Sequence, residues 1–385
     1  MRLYSIYIHL PFCRGRCPYC DFVSHDVRRI PFDEYAAAVS KELELRASAL
    51  EDSTLSTIYL GGGTPSLWPA ARLASLLPRT EALDGVEVSV EVNPGDNDPT
   101  WYEALVDRGV SRFSIGVQAL DGDRLVELGR RHDARQARDA LRAARLSGAE
   151  SVSADIIYGT PGQTPGRLVA ELEALCEQEV DHVSAYELTL SPGSAMRRAL
   201  EEAGRELPGE GTMLELWQAA GETLAKRGME RYEVSNHARP GHRCEHNLHV
   251  WRGGEYLGLG AGAHGCVAEG GRHRRWANDG DLAGYLEGAA EVGAGDPWRG
   301  IGSRVLEETL GEVERARERV MLGLRTAEGV DLAELYRMLP GELANRWRAI
   351  VETLVGMNLL RLESDVAIPT EAGMLQADGL AERFF

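Results

Sequence analysis

Tyr7-Ile8-His9-Leu10-Pro11-Phe12-Cys13-Arg14-Gly15-Arg16-Cys17-Pro18-Tyr19-Cys20-Asp21-Phe22 is the stretch on which the reading of this chain turns. Its C-x3-C-x2-C spacing offers three thiolates from one short loop, and no fourth cysteine lies nearby. A cubane iron–sulfur cluster is normally held by four cysteines. Three would hold three irons and leave the fourth open to another ligand. Two other readings stay open at this point: a zinc site completed by His9 or His25, and thiols that merely fall close together.

Working outward, the loop follows a β-branched run, Ser5–Leu10, and that run is the first of a series. Further strands are expected at Thr57–Leu60, Val86–Val92, Arg112–Val117, Val152–Ile157 and His182–Leu188. Amphipathic stretches lie between them: Asp33–Leu50, Asp98–Arg108, Ala134–Ser147 and Pro165–Gln178. Asp98-Pro99 pairs a capping carboxylate with proline at the first helical position. Gly109 and Gly148 sit where helices stop. Six βα units in succession predict an α/β fold with a parallel sheet. The pattern alone fits either an open doubly wound sheet or a partial barrel.

Beyond residue 190 the alternation breaks, with Pro192, Gly193, Pro208 and Gly209 as punctuation, before a helix at Leu214–Arg227. Residues 231–275 hold six of the ten histidines, and seven arginines against four acids. The last portion predicts helices at Val305–Leu324, Leu332–Met338 and Leu343–Gly356. Two short strands, Leu359–Leu362 and Val366–Ile368, and a helix at Thr370–Arg383 follow. That order suggests a small winged-helix-like α+β domain. The expected division is 1–210 for the barrel carrying the cysteine loop, 211–300 for the histidine-rich region that completes it, and 301–385 for the C-terminal domain.

With 385 residues and 43% hydrophobic content the chain can bury a substantial core. A net charge of −18 argues against nucleic acid as a partner, since such affinity comes from lysine and arginine neutralising phosphates. The same charge favours a structural or docking role for the C-terminal domain over DNA binding. The N-terminus lacks a signal-peptide layout, and no apolar run is long enough to span a bilayer. Six cysteines, three of them in one loop, do not resemble a disulfide framework. The expected setting is reducing cytoplasm.

Leu60-Gly61-Gly62-Gly63-Thr64-Pro65-Ser66 follows the second strand directly. Its glycines let backbone approach a ligand closely, or simply make a tight strand-to-helix turn. Glu91, Gln118 and Asp155 each end a strand. Carboxylates there are costly to bury unless paired or wet, and carboxyl ends of parallel strands face the active site in α/β barrels. Arg130 begins the next helical segment. Any one of these could be a solvated loop residue; several on successive strands point to a site.

The cysteine loop resembles that of the radical SAM superfamily, and its Tyr-x-His-x-Pro-Phe-Cys context is similar to the coproporphyrinogen oxidase-like branch. The resemblance implies an incomplete (β/α)6 TIM-like barrel. It further implies a [4Fe–4S] cluster on Cys13, Cys17 and Cys20, with S-adenosylmethionine (SAM) on the open iron. The matching positions imply that Gly62, Gly63 and Thr64, Glu91 and Arg130 serve the methionine end of SAM. Gln118 and Asp155 would serve its ribose, with Tyr7 and Tyr19 as further contacts. An electron donor such as flavodoxin or ferredoxin is implied as a partner.

Cys244-Glu245-His246-Asn247-Leu248-His249-Val250-Trp251 resembles a His-Asn-x-x-Tyr-Trp signature of the heme-chaperone subgroup of this branch, with Val250 in place of tyrosine. The resemblance implies heme as ligand, His246 as its binding residue, and an acceptor protein that could be a membrane-associated respiratory component. His246 and Asn247 could equally satisfy backbone groups in a loop. Phe22 stands where the true oxidase carries another cysteine, and only twelve residues precede Cys13, where the oxidase carries a lid. Both favour the chaperone subgroup over a radical oxidoreductase acting on a porphyrinogen, the alternative that the strand-tip residues keep open.

Overall fold

The structure, a computed structural model, describes residues 2–26, 29–50, 52–291 and 295–385. Six parallel strands form the heart of the molecule: β1 (Arg2–Leu10), β2 (Ser53–Gly62), β3 (Glu87–Val92), β4 (Arg112–Gln118), β5 (Ser151–Tyr158) and β6 (His182–Glu187). They lie side by side in chain order, and each expected strand is present within a few residues of its predicted ends. The sheet curves into a partial barrel, as expected.

Helices Phe32–Ala47, Pro99–Val106, Ala134–Leu146 and Pro165–Cys176 connect the strands. Asp98 caps its helix as expected, its carboxylate accepting from the Thr100 and Trp101 N–H groups. Asp133 and Gln136 close a capping box on the next. Buried Leu, Val, Ile and aromatic side chains from strands and helices fuse into one core between them.

Strand Glu255–Leu259 pairs parallel to β1 and extends the barrel on that side; the antiparallel strands His264–Glu269, Arg272–Ala277 and Leu306–Leu310 continue the sheet outward. The last differs from expectation: residues 305–310 are not the start of a helix. Leu306–Leu310 pairs antiparallel with Arg272–Ala277, and Glu308 reaches Arg275 across the pair (2.6 Å). The helix starts after Gly311, at Glu312–Gly323. A second difference is helix Ala195–Glu202 inside the Pro/Gly-punctuated segment, capped by Ser194.

The C-terminal portion has its own core around Trp347, Leu354 and Phe384. Helices Leu332–Met338 and Gly341–Gly356 precede a hairpin of Leu360–Glu363 and Val366–Pro369, to which Val330–Asp331 adds a third strand. The final helix is split into Glu371–Leu375 and Ala377–Glu382. Among the described residues no helix is long and apolar enough to cross a membrane.

Candidate functional site

A cavity of about 440 Å³ opens at the carboxyl ends of β2–β6, in the size range of cofactor pockets (~300–1,000 Å³). It gathers Cys13, Cys17, Cys20 and Tyr19 from the cysteine loop, Gly62, Gly63 and Thr64 from the end of β2, and Glu91, Gln118, Arg130 and Asp155. Residues scattered over more than 140 positions thus share one wall.

The cysteine loop leaves β1 through the short strand Phe12–Cys13, which pairs parallel with His25–Asp26. The three thiols are free and half-buried. Thr64 Oγ1 donates to Cys13 Sγ (3.6 Å) and Arg130 Nη1 to Cys17 Sγ (3.5 Å). Burial raises the Cys13 and Cys20 thiols above their usual range, so their protons stay until a cation displaces them. A single zinc is poorly served. His9 is occupied at both nitrogens, by Tyr7 OH (2.9 Å) and Val23 O (2.8 Å), and His25 Nε2 by Gly280 O (3.0 Å). Among the described residues no three His, Cys, Asp or Glu side chains converge on a point one ion could take. A cubane, whose cysteines each bind a different iron, does not need them to.

The glycine loop is fixed by close approach. A Cβ on Gly63 would lie 2.7 Å from Leu10 O and Phe12 N, and Gly62, at φ +105°, backs onto the His9 ring. Gly62 N–H and Tyr59 OH both donate to Glu91 (3.0 Å each). Burial nevertheless pushes the Glu91 carboxyl up to about 7. Asp155 is likewise raised by burial, although Ser114 Oγ donates to both of its oxygens (3.0 and 2.9 Å) and Ser153 to one (3.3 Å). Gln118 ends β4 with φ +62°, a conformation non-glycine residues adopt at a cost, next to a register shift against β5. The bend is what turns its side chain into the cavity.

Arg130 Nη2 donates to Gly116 O (3.2 Å) and to Asn93 Oδ1, and its buried Nε has no partner. Buried carboxylates held short of full neutralisation and an orphaned guanidinium N–H suit a ligand carrying an ammonium, a carboxylate and ribose hydroxyls. The residues therefore fit SAM.

Two expected residues fall elsewhere. Tyr7 is outside the cavity wall: its hydroxyl meets His9 Nδ1 and its ring stacks on Tyr59 (6.1 Å), so it supports the wall from behind. His246 lies at the opposite end of the barrel. It belongs to helix Glu245–Trp251, whose N-terminal N–H groups at Glu245 and His246 donate to Glu87 (3.1 and 3.0 Å) at the start of β3. His246 is 5% exposed, its Nδ1 is paired with Thr57 Oγ1 (2.7 Å) and its ring lies 5.0 Å from Tyr59. Desolvation lowers its pKa to about 3. In this structure the imidazole is enclosed.

Asn93, Tyr59 and Ser114 were not anticipated. Asn93 bridges Thr64 (3.0 Å) and Arg130; Ser114 holds Asp155. Stepping back by two along a strand from each tip residue would have found Ser114 and Gly116 behind Gln118.

The radical SAM superfamily profile matches residues 7–175, and the HemN C-terminal domain profile matches residues 312–375. Over its whole length the fold is like that of a solved structure of the radical SAM enzyme coproporphyrinogen III oxidase (HemN) from Escherichia coli. That likeness has a TM-score of 0.81 at 23% identity and covers 100% of this chain and 90% of the other. Fold and cysteine loop are thus those of the radical SAM class, which implies a [4Fe–4S] cluster and SAM. The chain is 35% identical to the heme chaperone HemW of Mycobacterium tuberculosis, across 98% of this chain and 93% of the relative. It is 31% identical to HemW of Lactococcus lactis (99% and 97% covered) and 30% to HemW of Bacillus subtilis (96% and 96%). It belongs to the HemW family.

Proposed function

We propose that this chain is a heme chaperone of the HemW type: it binds heme, carries a SAM-ligated [4Fe–4S] cluster, and passes heme to an acceptor protein in the cytoplasm. The observation that supports this most is the 30–35% identity to named heme chaperones along nearly the whole chain, the C-terminal portion included. Cys13, Cys17 and Cys20 would hold three irons. Glu91 would take the SAM ammonium, Arg130 its carboxylate, and Gln118 and Asp155 its ribose, with Gly62, Gly63 and Thr64 along the methionine. When bound, such a cluster can deliver one electron to the sulfonium of SAM.

The protein's own contribution is to prearrange charge. Glu91 and Asp155 are buried carboxylates that a cationic or hydroxylated ligand relieves. Heme ligation by His246 calls for helix Glu245–Trp251 to lift from the base, which links heme capture to a conformational change.

A second reading, a radical oxidoreductase on a porphyrinogen, is favoured by the complete set of polar strand-tip residues. One experiment separates the two. Anaerobically reconstituted, SAM-replete protein should bind heme near one per chain and leave coproporphyrinogen undecarboxylated. Robust decarboxylation without heme binding would overturn the chaperone reading.

A further inference from the structure

A separate recess of about 370 Å³ lies between the base of the barrel and the C-terminal portion. Its walls come from the start of β1, the turn after helix Glu245–Trp251, strand Arg272–Ala277, and helices Glu312–Gly323 and Leu332–Met338. His273 lines it from the strand. The residue is half-buried, and neither ring nitrogen has a hydrogen-bond partner among the described residues. His246, by contrast, has its Nδ1 taken by Thr57. Burial, then Arg315, Arg319 and Arg2, push the His273 pKa down to about 4, with Glu255 opposing them. The imidazole is therefore neutral near pH 7 and keeps a lone pair for a metal.

A lone imidazole does not hold a bare ion, and among the described residues no three His, Cys, Asp or Glu side chains gather to help it. It suits an iron that brings its other ligands with it, as heme iron does. The rest of the wall fits the rest of heme. Arg2, Arg252, Arg315 and Arg319 line the recess, and guanidinium forks pair with carboxylates such as propionates. Protein carboxylates brace them: Glu255 holds Arg2, Glu318 holds Arg315, Glu334 holds Arg319 (3.1 and 3.2 Å) and Glu328 holds Arg252 (2.6 and 2.7 Å). Arg2 Nη1 and Arg319 Nε still have no hydrogen-bond partner among the described residues. Gly253, at φ +67°, makes room for two of the arginines. A Cβ there would lie 2.6 Å from Arg319 Cδ and 2.8 Å from Arg315 Nη2. Leu3, 49% exposed, and Met338 add apolar contact for a ring face.

We propose that this recess binds heme while the base helix stays in place, with His273 ligating the iron and Arg2 and Arg319 pairing with the propionates. The inference rests on the heme-chaperone reading above and gives it a site that needs no movement of helix Glu245–Trp251. Binding forms one bond from iron to a neutral ring nitrogen and moves no electron. Arg252 ends the base helix and is tied to Glu328 of the C-terminal portion, so a heme seated here touches both parts of the chain.

The test titrates ferric heme into the full-length protein, read by absorption and electron paramagnetic resonance. His273→Ala should remove the imidazole signature from the spectrum, and added free imidazole should restore it. Arg2→Gln/Arg319→Gln should weaken heme binding roughly tenfold or more without moving the spectrum, because propionate pairing does not touch the metal. Heme dimethyl ester, whose propionates carry no charge, should bind wild type and this double variant alike. An imidazole signature kept in His273→Ala but lost in His246→Ala would overturn the proposal and move the iron to the base. Loss in His273→Ala that imidazole does not restore would overturn it too, as an effect of packing. A wild type that binds no heme would overturn the chaperone reading along with it.

Discussion

The two ends of the barrel are built from the same strands and finished in opposite ways. At the carboxyl ends, Glu91, Asp155, Gln118 and Arg130 surround an open cavity, partly satisfied and raised or strained by their placement. At the amino ends, helix Glu245–Trp251 seals the base, and its polar groups are partnered within the protein: Glu87 takes the helix N–H groups, Thr57 takes His246, and Tyr232 OH accepts from Cys244 N–H (3.2 Å). At the carboxyl ends the carboxylates and the guanidinium face an open cavity that can take a ligand; at the base the helix pairs with the strands it covers, although Arg112 Nη2 beside it is left without a partner.

The ends are nonetheless joined through the barrel interior. Ser153 Oγ touches Asp155 (3.3 Å) and His182 Nδ1 (2.8 Å), and His182 Nε2 meets Tyr232 OH (2.8 Å), which reaches Cys244. On the other side Tyr59 joins Glu91, through its hydroxyl, to the His246 ring. Spatial continuity is not coupling, and measurements on the two ends can tell them apart.

The largest effect is expected at the top. Replacing Cys13, Cys17 or Cys20 by alanine should abolish cluster formation, read as iron and sulfide per chain. Cys176→Ala, on a helix outside the cavity, should leave both at the wild-type value. A cluster surviving loss of a loop cysteine would move the site elsewhere.

Next in size is SAM binding. A charge-assisted hydrogen bond contributes about 1.5–3 kcal/mol, so Asp155→Ala should weaken SAM roughly ten- to hundredfold by calorimetry on cluster-loaded protein. SAM affinity should also fall as pH drops below about 7, where Glu91 gains its proton. The same shift has a stability signature without SAM. Because burial raises the folded-state pKa of Glu91 from 4.5 to about 7, folded protein holds this proton more tightly than unfolded protein does. Stability from this site is therefore full below pH ~4.5 and declines as pH rises to about 7. Glu91→Gln should flatten that part of the Tm–pH profile, and an unchanged slope would deny the shift.

At the base, Tyr232→Phe removes a hydroxyl that serves His182 and Cys244. It should lower stability by about 1–3 kcal/mol, the cost of leaving buried polar groups unpaired, measured by denaturant unfolding. SAM affinity should stay within threefold if the two ends are independent; a tenfold loss would establish the interior line as a coupling route. The smallest effect is expected for Glu87→Ala, which loosens the base helix by about 1 kcal/mol through its unpaired N-terminus. If His246 ligates heme from a lifted helix, heme should bind a few-fold more tightly in this variant; weaker binding would mean that the closed base is the binding form.

Much of the top was legible in the chain. Glu91 and Gln118 stand at or next to the carboxyl ends of β3 and β4, and Asp155, expected at a tip, lies three residues before the end of β5. A parallel barrel puts those ends on one side, so the three could be grouped without coordinates. Capping at Asp98 was readable because it depends on neighbours two and three positions away. Residues 305–310 misled because Leu306 and Leu310, four apart with polar residues between them, suit a helix, and only the Arg275 partner across the sheet decides for a strand. Tyr7 lies opposite Tyr59 on the same side of the sheet, yet its hydroxyl is taken by His9 Nδ1, a contact that no spacing signals.

The sequence by itself determined the six βα units, the three-thiolate loop and the carboxylate-tipped strands, because local spacing and the geometry of parallel sheets dictate them. Only the tertiary structure decided that His246 is buried at the base and that Arg130 and Arg131 meet the cysteine loop. Both depend on contacts between distant residues: Glu87 with helix Glu245–Trp251, and the cysteine loop with Arg130 and Arg131. No local pattern encodes such contacts, because burial and charge pairing are settled only when the chain has closed on itself.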